Sequence, residues 1–151
     1  MTIRPALYTD CAAIYAITSE PSVREASTRS EAFDYTAHMV WWDRRYSDPG
    51  QKFYVAENGE GIVGYVRYGR AGLDAEIAIA VASQHRGHGY GLTMLKETEA
   101  QAAKELGASR LVALVLVGNA ASSLMFARAG YKMKGWQERF RKMHQRWERV
   151  V

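Results

Sequence analysis

Apolar positions along this chain change their period several times, and each change marks a new element. From residue 74 to 82, Ile77, Ile79 and Val81 alternate with small or polar neighbours, the period of two expected of a strand with one face on a core. Residues 111–117 form a nearly unbroken aliphatic run, which predicts a strand buried on both faces. Residues 52–57 and 61–68 are two further apolar segments, and Asn58-Gly59-Glu60 between them predicts a hairpin. Residues 2–5 read as a short first strand. The stretch 131–151, with Trp136, Glu138 and Phe140, then Trp147 and Val150, reads as the last two.

Helical spacing predicts helices over residues 11–18, 33–46, 89–106 and 120–129. Asp10 and Asn119 stand where side-chain caps belong, and Gly107 and Gly130 where a helix closes. Asp48-Pro49-Gly50 ends the second helix as a turn, and the polar stretch 19–30 reads as irregular. Strands followed by strand-helix-strand-helix-strand predict an α/β protein, a mixed sheet with helices on its faces.

Composition sharpens this picture. The chain has 151 residues and is 48% hydrophobic, with no repeat or linker, which fits one domain over 1–151. No apolar run approaches the roughly 20 residues that span a bilayer, and residues 1–10 lack a signal-peptide core, so no membrane association is expected. Cys11 is the single cysteine, which excludes an intrachain disulfide and a cysteine-based zinc site. A cytoplasmic protein without a metal is the expectation. The net charge of +4 is uneven: residues 131–151 hold seven basic residues against Glu138 and Glu148, leaving the rest at −1. Such a tail suits a solvated strand face or a phosphorylated ligand, and its spacing matches no nucleic-acid-binding module, so no nucleic acid is expected.

The chemistry concentrates in Gln84-His85-Arg86-Gly87-His88-Gly89-Tyr90-Gly91, between a predicted strand and a predicted helix. A glycine-rich turn opening a helix exposes several backbone N–H groups together, and the helix dipole adds partial positive charge. Gly87, Gly89 and Gly91 let the backbone approach an anion closely, and Arg86 adds a fixed charge. A P-loop would need Lys and Ser/Thr after its last glycine, and a dinucleotide fingerprint would need Gly-x-Gly-x-x-Gly. Neither spacing is present. The pattern Gln/Arg-x-x-Gly-x-Gly/Ala fits.

With this motif, and with the run from Asn119 through Phe126 to Gly130-Tyr131, the chain resembles the GNAT superfamily of acyl-CoA-dependent N-acyltransferases. The resemblance covers residues 52–131 and, more loosely, the ends. It implies a mostly antiparallel sheet of six to seven strands with about four helices, splayed at the acyl-CoA site. It also implies acetyl-CoA as cosubstrate, and a homodimer as a common family arrangement. Ile79, Ala80 and Val81 would pair with the pantetheine arm. Gln84, Arg86 and the amides of Gly87, His88, Gly89, Tyr90, Gly91 and Leu92 would hold the pyrophosphate. Asn119, Ser122 and Phe126 would meet the cofactor near its thioester end.

The family's reaction is direct attack of a neutral amine on the thioester carbonyl. The resemblance implies an oxyanion donor at the Val81 N–H and a catalytic role for Asn119. Glu76, on the same strand, is the candidate base, and His38 its competitor. Many members carry a tyrosine seven residues after the asparagine. Phe126 stands there instead, leaving Tyr90, Tyr131 or water to protonate the thiolate. The stretch Val23-Arg24-Glu25-Ala26-Ser27, with His38, Trp41, Trp42 and residues 54–67, is similar to a subgroup that acetylates amino groups on nucleotide-linked sugars. The N-acetyltransferase of pseudaminic acid biosynthesis is its best-known example. That likeness implies an acceptor pocket of Arg24, His38, Trp41 and Trp42, for a small-molecule amine. Protein α-amines, polyamines, amino acids and antibiotics are the other acceptor classes. A non-catalytic acyl-CoA-binding or sensing module is the alternative function.

Overall fold

The computed structural model describes residues 1–29 and 31–151. Seven strands and five helices alternate along it: β1 (Thr2–Pro5), α1 (Cys11–Thr18), α2 (Pro21–Ala26), α3 (Tyr35–Tyr46), β2 (Gln51–Asn58), β3 (Gly61–Ala71), β4 (Asp74–Val81), α4 (Tyr90–Leu106), β5 (Arg110–Leu116), α5 (Ala120–Arg128), β6 (Lys132–Arg139) and β7 (Lys142–Val150). The strands form one sheet in the order β1-β2-β3-β4-β5-β7-β6. Every neighbouring pair is antiparallel except β4 and β5, which run parallel.

That one parallel pair is short. Only Asp74–Glu76 of β4 pair with Arg110–Val112 of β5, although both strands run on beyond that point. Past Glu76 and Val112 the two halves of the sheet part, so the sheet is splayed at its centre.

Alternation along the strands divides the core between the two faces. Tyr54, Val66, Tyr68, Ala75, Ile77, Leu111 and Val115 pack under α4 and α5 with Met94, Leu95, Leu106 and Phe126. Phe53, Val55, Tyr65 and Ala82 face α1, α2 and α3, with Ile14, Ile17, Val23 and Trp42. The period of two read from the sequence is the period of this partition.

The structure has one helix more than the four expected. Residues 21–26, read as irregular, form α2, whose first residue is Pro21. A proline suits that position because the N–H it lacks has no helical acceptor anyway. Its six residues are too few for a helical period to show. Helix α3 begins two residues later than predicted because Asp34 caps it, accepting from the Ala37 N–H at 2.8 Å. Asp10, expected to cap α1, makes no cap bond. Its carboxylate accepts from the Leu7 N–H at 2.7 Å and from Arg4, which ties the end of β1 to the chain entering α1.

Much of the basic tail is paired. Arg139 bonds Glu76, Arg149 bonds Glu99, and Arg146 bonds Glu148 at 2.6 Å and lies 3.5 Å from Asp74. The β6–β7 turn places Phe140 and Arg141 in the left-handed region, at φ 51° and 61°, the backbone a two-residue hairpin needs to match strand twist. Phe140 lies at its tip, with the Arg29 guanidinium 4.7 Å above its ring.

Candidate active site

Hydrogen-bond parity decides what the splayed strands expose. Ala82 donates its N–H to the Val63 carbonyl at 2.8 Å. Bonded and non-bonded pairs alternate in an antiparallel ladder, so Ala80 (opposite Tyr65) and Ala78 (opposite Arg67) bond to β3. Ile79 and Val81 therefore turn their N–H and C=O groups toward β5, which has already diverged. On the other side Val117 donates to the Met143 carbonyl at 3.2 Å. By the same alternation Val115 and Ala113 bond to β7, and Leu114 faces the opening. Two strand edges thus look at each other with no strand between them. Buried backbone groups are normally paired, so the opening suits an extended, amide-bearing arm. Ala80, expected to pair with such an arm, cannot do so, because its backbone already belongs to the β3 ladder.

At the end of β4 the Val81 carbonyl accepts from Arg86 Nε at 3.1 Å, which holds that arginine against the turn. Gly87 and Gly89 then adopt φ 82° and 75°, a conformation that L side chains take only with strain. Gly89 is the N-cap of the 17-residue α4. Among the described residues, the amides from Gly87 to Leu92 have no intrachain acceptor. Six free donors at the positive end of a long helix make a cradle whose chemistry suits a phosphate or pyrophosphate. Gln84 and His88 are exposed beside it, and the Tyr90 ring lies between His85 and His88, 6.4 and 5.7 Å away. The Leu92 side chain packs into the core, leaving only its amide for a ligand.

Gly91, besides offering its amide to the cradle, lies close to α5. A Cβ there would lie 2.6 Å from the Met125 sulfur, so a side chain at this position would have to push the flexible Met125 side chain of α5 aside. It stands in the first turn of α4, facing Met125, Ile79 and Val81.

A cavity of about 880 Å³ runs from the opening between β4 and β5 to the face covered by α2 and α3. Ile79, Leu114, Asn119, Ser122 and Phe126 line the half at the opening. The Asn119 Oδ1 accepts from the Ser122 N–H at 3.2 Å as the cap of α5, leaving its NH₂ as the group able to donate elsewhere. Phe126 is 2% exposed and meets Tyr131 edge-on at 5.2 Å. Tyr131 lies beyond it and donates to Glu99 at 2.8 Å. Burial and the Glu99 carboxylate hold the Tyr131 phenol far above its ordinary pKa, so it is no proton donor to the cavity. Glu76 shares its side of β4 with Ala78 and Ala80, facing the α3 half, and is ion-paired with Arg139.

The other half is lined by Arg24, His38, Trp41 and Arg67. Arg24 uses three donors on the chain around it: Thr18 O at 2.7 Å, Arg29 O at 3.1 Å and Ser27 Oγ at 3.3 Å. Trp42, expected beside Trp41, is absent from the cavity lining. It is 1% exposed, its Nε1–H donates to Tyr8 O at 2.9 Å, and its ring packs on Phe53. Adjacent helix positions point about 100° apart, and α3 directs Trp42 inward and Trp41 to the cavity.

His38 is almost fully buried, within 5.2 Å of Tyr15 and 5.5 Å of Trp41, and its Nε2 bonds the Cys11 carbonyl at 3.0 Å. A carbonyl only accepts, so Nε2 carries the proton and is no base. Burial lowers the His38 pKa. Below its ordinary value of about 6.5 the unfolded chain therefore binds the proton more readily than the folded one. Stability is full above that pH and is lost as pH falls. Thermal unfolding should show a lower melting temperature at pH 5 than at pH 7, and His38→Phe should shrink that difference. An unchanged difference would mean other groups carry it.

Sequence reasoning passed over Arg67 and Arg139. Arg67 left a trace, a charge inside the apolar stretch of β3. Arg139 left none, because its carboxylate partner lies 63 residues away.

The family model of the GNAT acetyltransferase domain matches residues 1–132. The chain belongs to the GNAT acetyltransferase family. It is an acyl-CoA-dependent N-acyltransferase whose cosubstrate is acetyl-CoA. Among solved structures, a ribosomal-protein-alanine N-acetyltransferase from Brucella melitensis is 28% identical, with all of both chains covered and a TM-score of 0.85. The putative acetyltransferase yncA from Salmonella typhimurium, solved with acetyl-CoA, is 24% identical over 99% of this chain and 93% of its own, with a TM-score of 0.84. A spermidine N-acetyltransferase from Vibrio cholerae, solved with CoA and spermine, is 16% identical over 99% and 94%, with a TM-score of 0.85. A sequence comparison with curated proteins found no match.

Proposed function

We propose that this GNAT acetyltransferase moves an acetyl group from acetyl-CoA to the primary amine of a small acceptor, both held in the one cavity. The observation that carries this reading is the continuity of the cavity. It joins the opening between β4 and β5 to a second half lined by Arg24, Trp41 and Arg67. Acetyl-CoA supplies an electrophilic thioester carbonyl. The amides from Gly87 to Leu92, with Arg86 and Gln84, would bind its pyrophosphate. The Ile79 and Leu114 backbone, Ser122, Phe126 and the Asn119 NH₂ would hold the arm and its inner end. The Val81 N–H would donate to the carbonyl oxygen as negative charge grows on it.

An alkylamine of pKa about 10.4 is mostly protonated near neutrality. Glu76, oriented by Arg139 and facing the acceptor half, would take that proton directly or through a water. Phe126 has no proton to give and Tyr131 is committed to Glu99, so neither protonates the departing sulfur. Glu76→Gln should lower kcat about a hundredfold while leaving the KM for acetyl-CoA near wild type. A kcat within twofold of wild type would remove Glu76 from the mechanism.

For the acceptor, an amino sugar linked to a nucleotide fits best. Trp41 offers an aromatic face and the arginines suit a diphosphate. The Vibrio cholerae relative acts on a polyamine, but a cavity lined by Arg24, Arg45 and Arg67 repels a polycation. The tip of the β6–β7 hairpin, with Phe140 against Arg29, covers the cavity and suits a small molecule better than a protein amino terminus. Mass spectrometry of acetyl-CoA reactions tests this choice. One acetyl should be gained fastest by the nucleotide-linked amino sugar; faster gain by a peptide α-amine would overturn it.

A further inference from the structure

We infer that the acceptor half of the cavity contains an anion subsite centred on the Arg67 guanidinium, with Arg45 near it and Arg24 in the same lining, so that the amine to be acetylated carries a carboxylate or phosphate. This rests on the proposed acetyl transfer and names what its acceptor must contain.

Arg67 lies on β3 opposite Ala78, two residues along β4 from Glu76. Its Nη1 donates to Gln51 Oε1 at 3.1 Å, and its guanidinium lies 5.9 Å from the centre of the Trp41 ring. Space for this arrangement comes from Gly69. A Cβ there would lie 3.2 Å from Arg67 Nη1 and 3.0 Å from the Gln51 amide.

Among the described residues no carboxylate lies within ion-pair distance of Arg67, Arg24 or Arg45. Arg4, Arg110, Arg139, Arg146 and Arg149, by contrast, each meet one. The cavity's own carboxylates are Glu76, engaged by Arg139, and Glu31, against six arginines in its lining.

Burying a cation without a counter-ion is unfavourable. Burial lowers the Arg67 pKa, with Arg45 adding to the effect and Tyr65 and Glu76 opposing it. An incoming anion relieves this, and a guanidinium fork binds carboxylate and phosphate with paired hydrogen bonds. Two strand residues separate the Arg67 row from Glu76, roughly 7 Å. Anion and amine would therefore sit a few bonds apart on one small molecule.

Thiol release at saturating acetyl-CoA would be measured on matched amines: glucosamine against glucosamine 6-phosphate, and propylamine against β-alanine. In at least one pair the anionic member should have a kcat/KM about tenfold higher or more. The pair that shows it tells phosphate from carboxylate. Arg67→Gln should erase the preference through KM, and Arg67→Lys should keep part of it. The KM for acetyl-CoA should stay unchanged in both, and the neutral amine should lose much less kcat/KM than its anionic partner. Preference of the wild type for the neutral members, or an equal loss on both members in Arg67→Gln, would overturn the subsite. If no amine supports release, the acetyl-transfer reading fails by itself. The subsite is then read by titrating pyrophosphate into CoA-saturated protein and following tryptophan fluorescence. A response lost in Arg67→Gln supports it, and no response in the wild type refutes it.

Discussion

Gly89→Trp should abolish acetyl-CoA binding and leave the fold standing. Gly89 is exposed, and a Cβ built on it meets no atom within 4 Å, so the indole enters open space without disturbing the core. The cost to the fold is the left-handed backbone at φ 75°, about 1–2 kcal/mol for a non-glycine residue, or a few degrees of melting temperature. The cost to the ligand is larger. The ring fills the cradle formed by the amides from Gly87 to Leu92, and affinity for acetyl-CoA should fall more than about a hundredfold. Calorimetric titration and thermal unfolding measure the two effects separately. Gly91→Val makes the contrast: its side chain must push Met125 aside between α4 and α5, so the melting temperature should move along with binding. A Gly89→Trp protein that still bound acetyl-CoA normally would move the cofactor away from this turn.

Val81→Pro should strike at turnover, whereas Ala80→Pro should strike at the fold. The two residues are adjacent in one strand, but parity assigns their N–H groups to opposite sides. The Ala80 N–H belongs to the β3 ladder, and its removal should cost about 3 kcal/mol of stability. The Val81 N–H faces the opening between β4 and β5, so proline there breaks no sheet bond. Loss of one donor to a developing oxyanion lowers kcat by about 10² to 10³, and Val81→Pro should show that loss with a modest change in melting temperature. Equal destabilisation by the two prolines would contradict the parity argument, and normal kcat in a folded Val81→Pro protein would remove the amide from catalysis.

The parts of this fold that the sequence displays are the local ones. The alternation of Ile77, Ile79 and Val81 is a property of β4 alone, and the glycine spacing from Gly87 belongs to one turn, so both could be read from residues next to each other. The splay could not. It depends on β5 leaving β4 after Glu76 and Val112, and those strands are separated in sequence by all of α4. The packing of Gly91 is hidden for the same kind of reason, since the side chain nearest to it is that of Met125, on another helix. Trp41 and Trp42 are alike as residues. The Tyr8 carbonyl that receives the Trp42 indole N–H decides which of them is core. Asp10 had the right position for a cap, but Arg4 offered it a stronger partner in a different direction. Arg67 could have been suspected as a charge in an apolar strand, yet nothing local says that its surroundings lack a carboxylate.

Acetyl transfer to an amine would take place within the opening between β4 and β5. Its most direct test is release of free CoA thiol from acetyl-CoA over a panel of amines, with a no-amine blank and Gly89→Trp as controls. Release by the wild type should depend on the amine, be strongest with an anionic amine and be absent in Gly89→Trp. Thiol release that is the same with and without every amine, or that persists undiminished in Gly89→Trp, would contradict it.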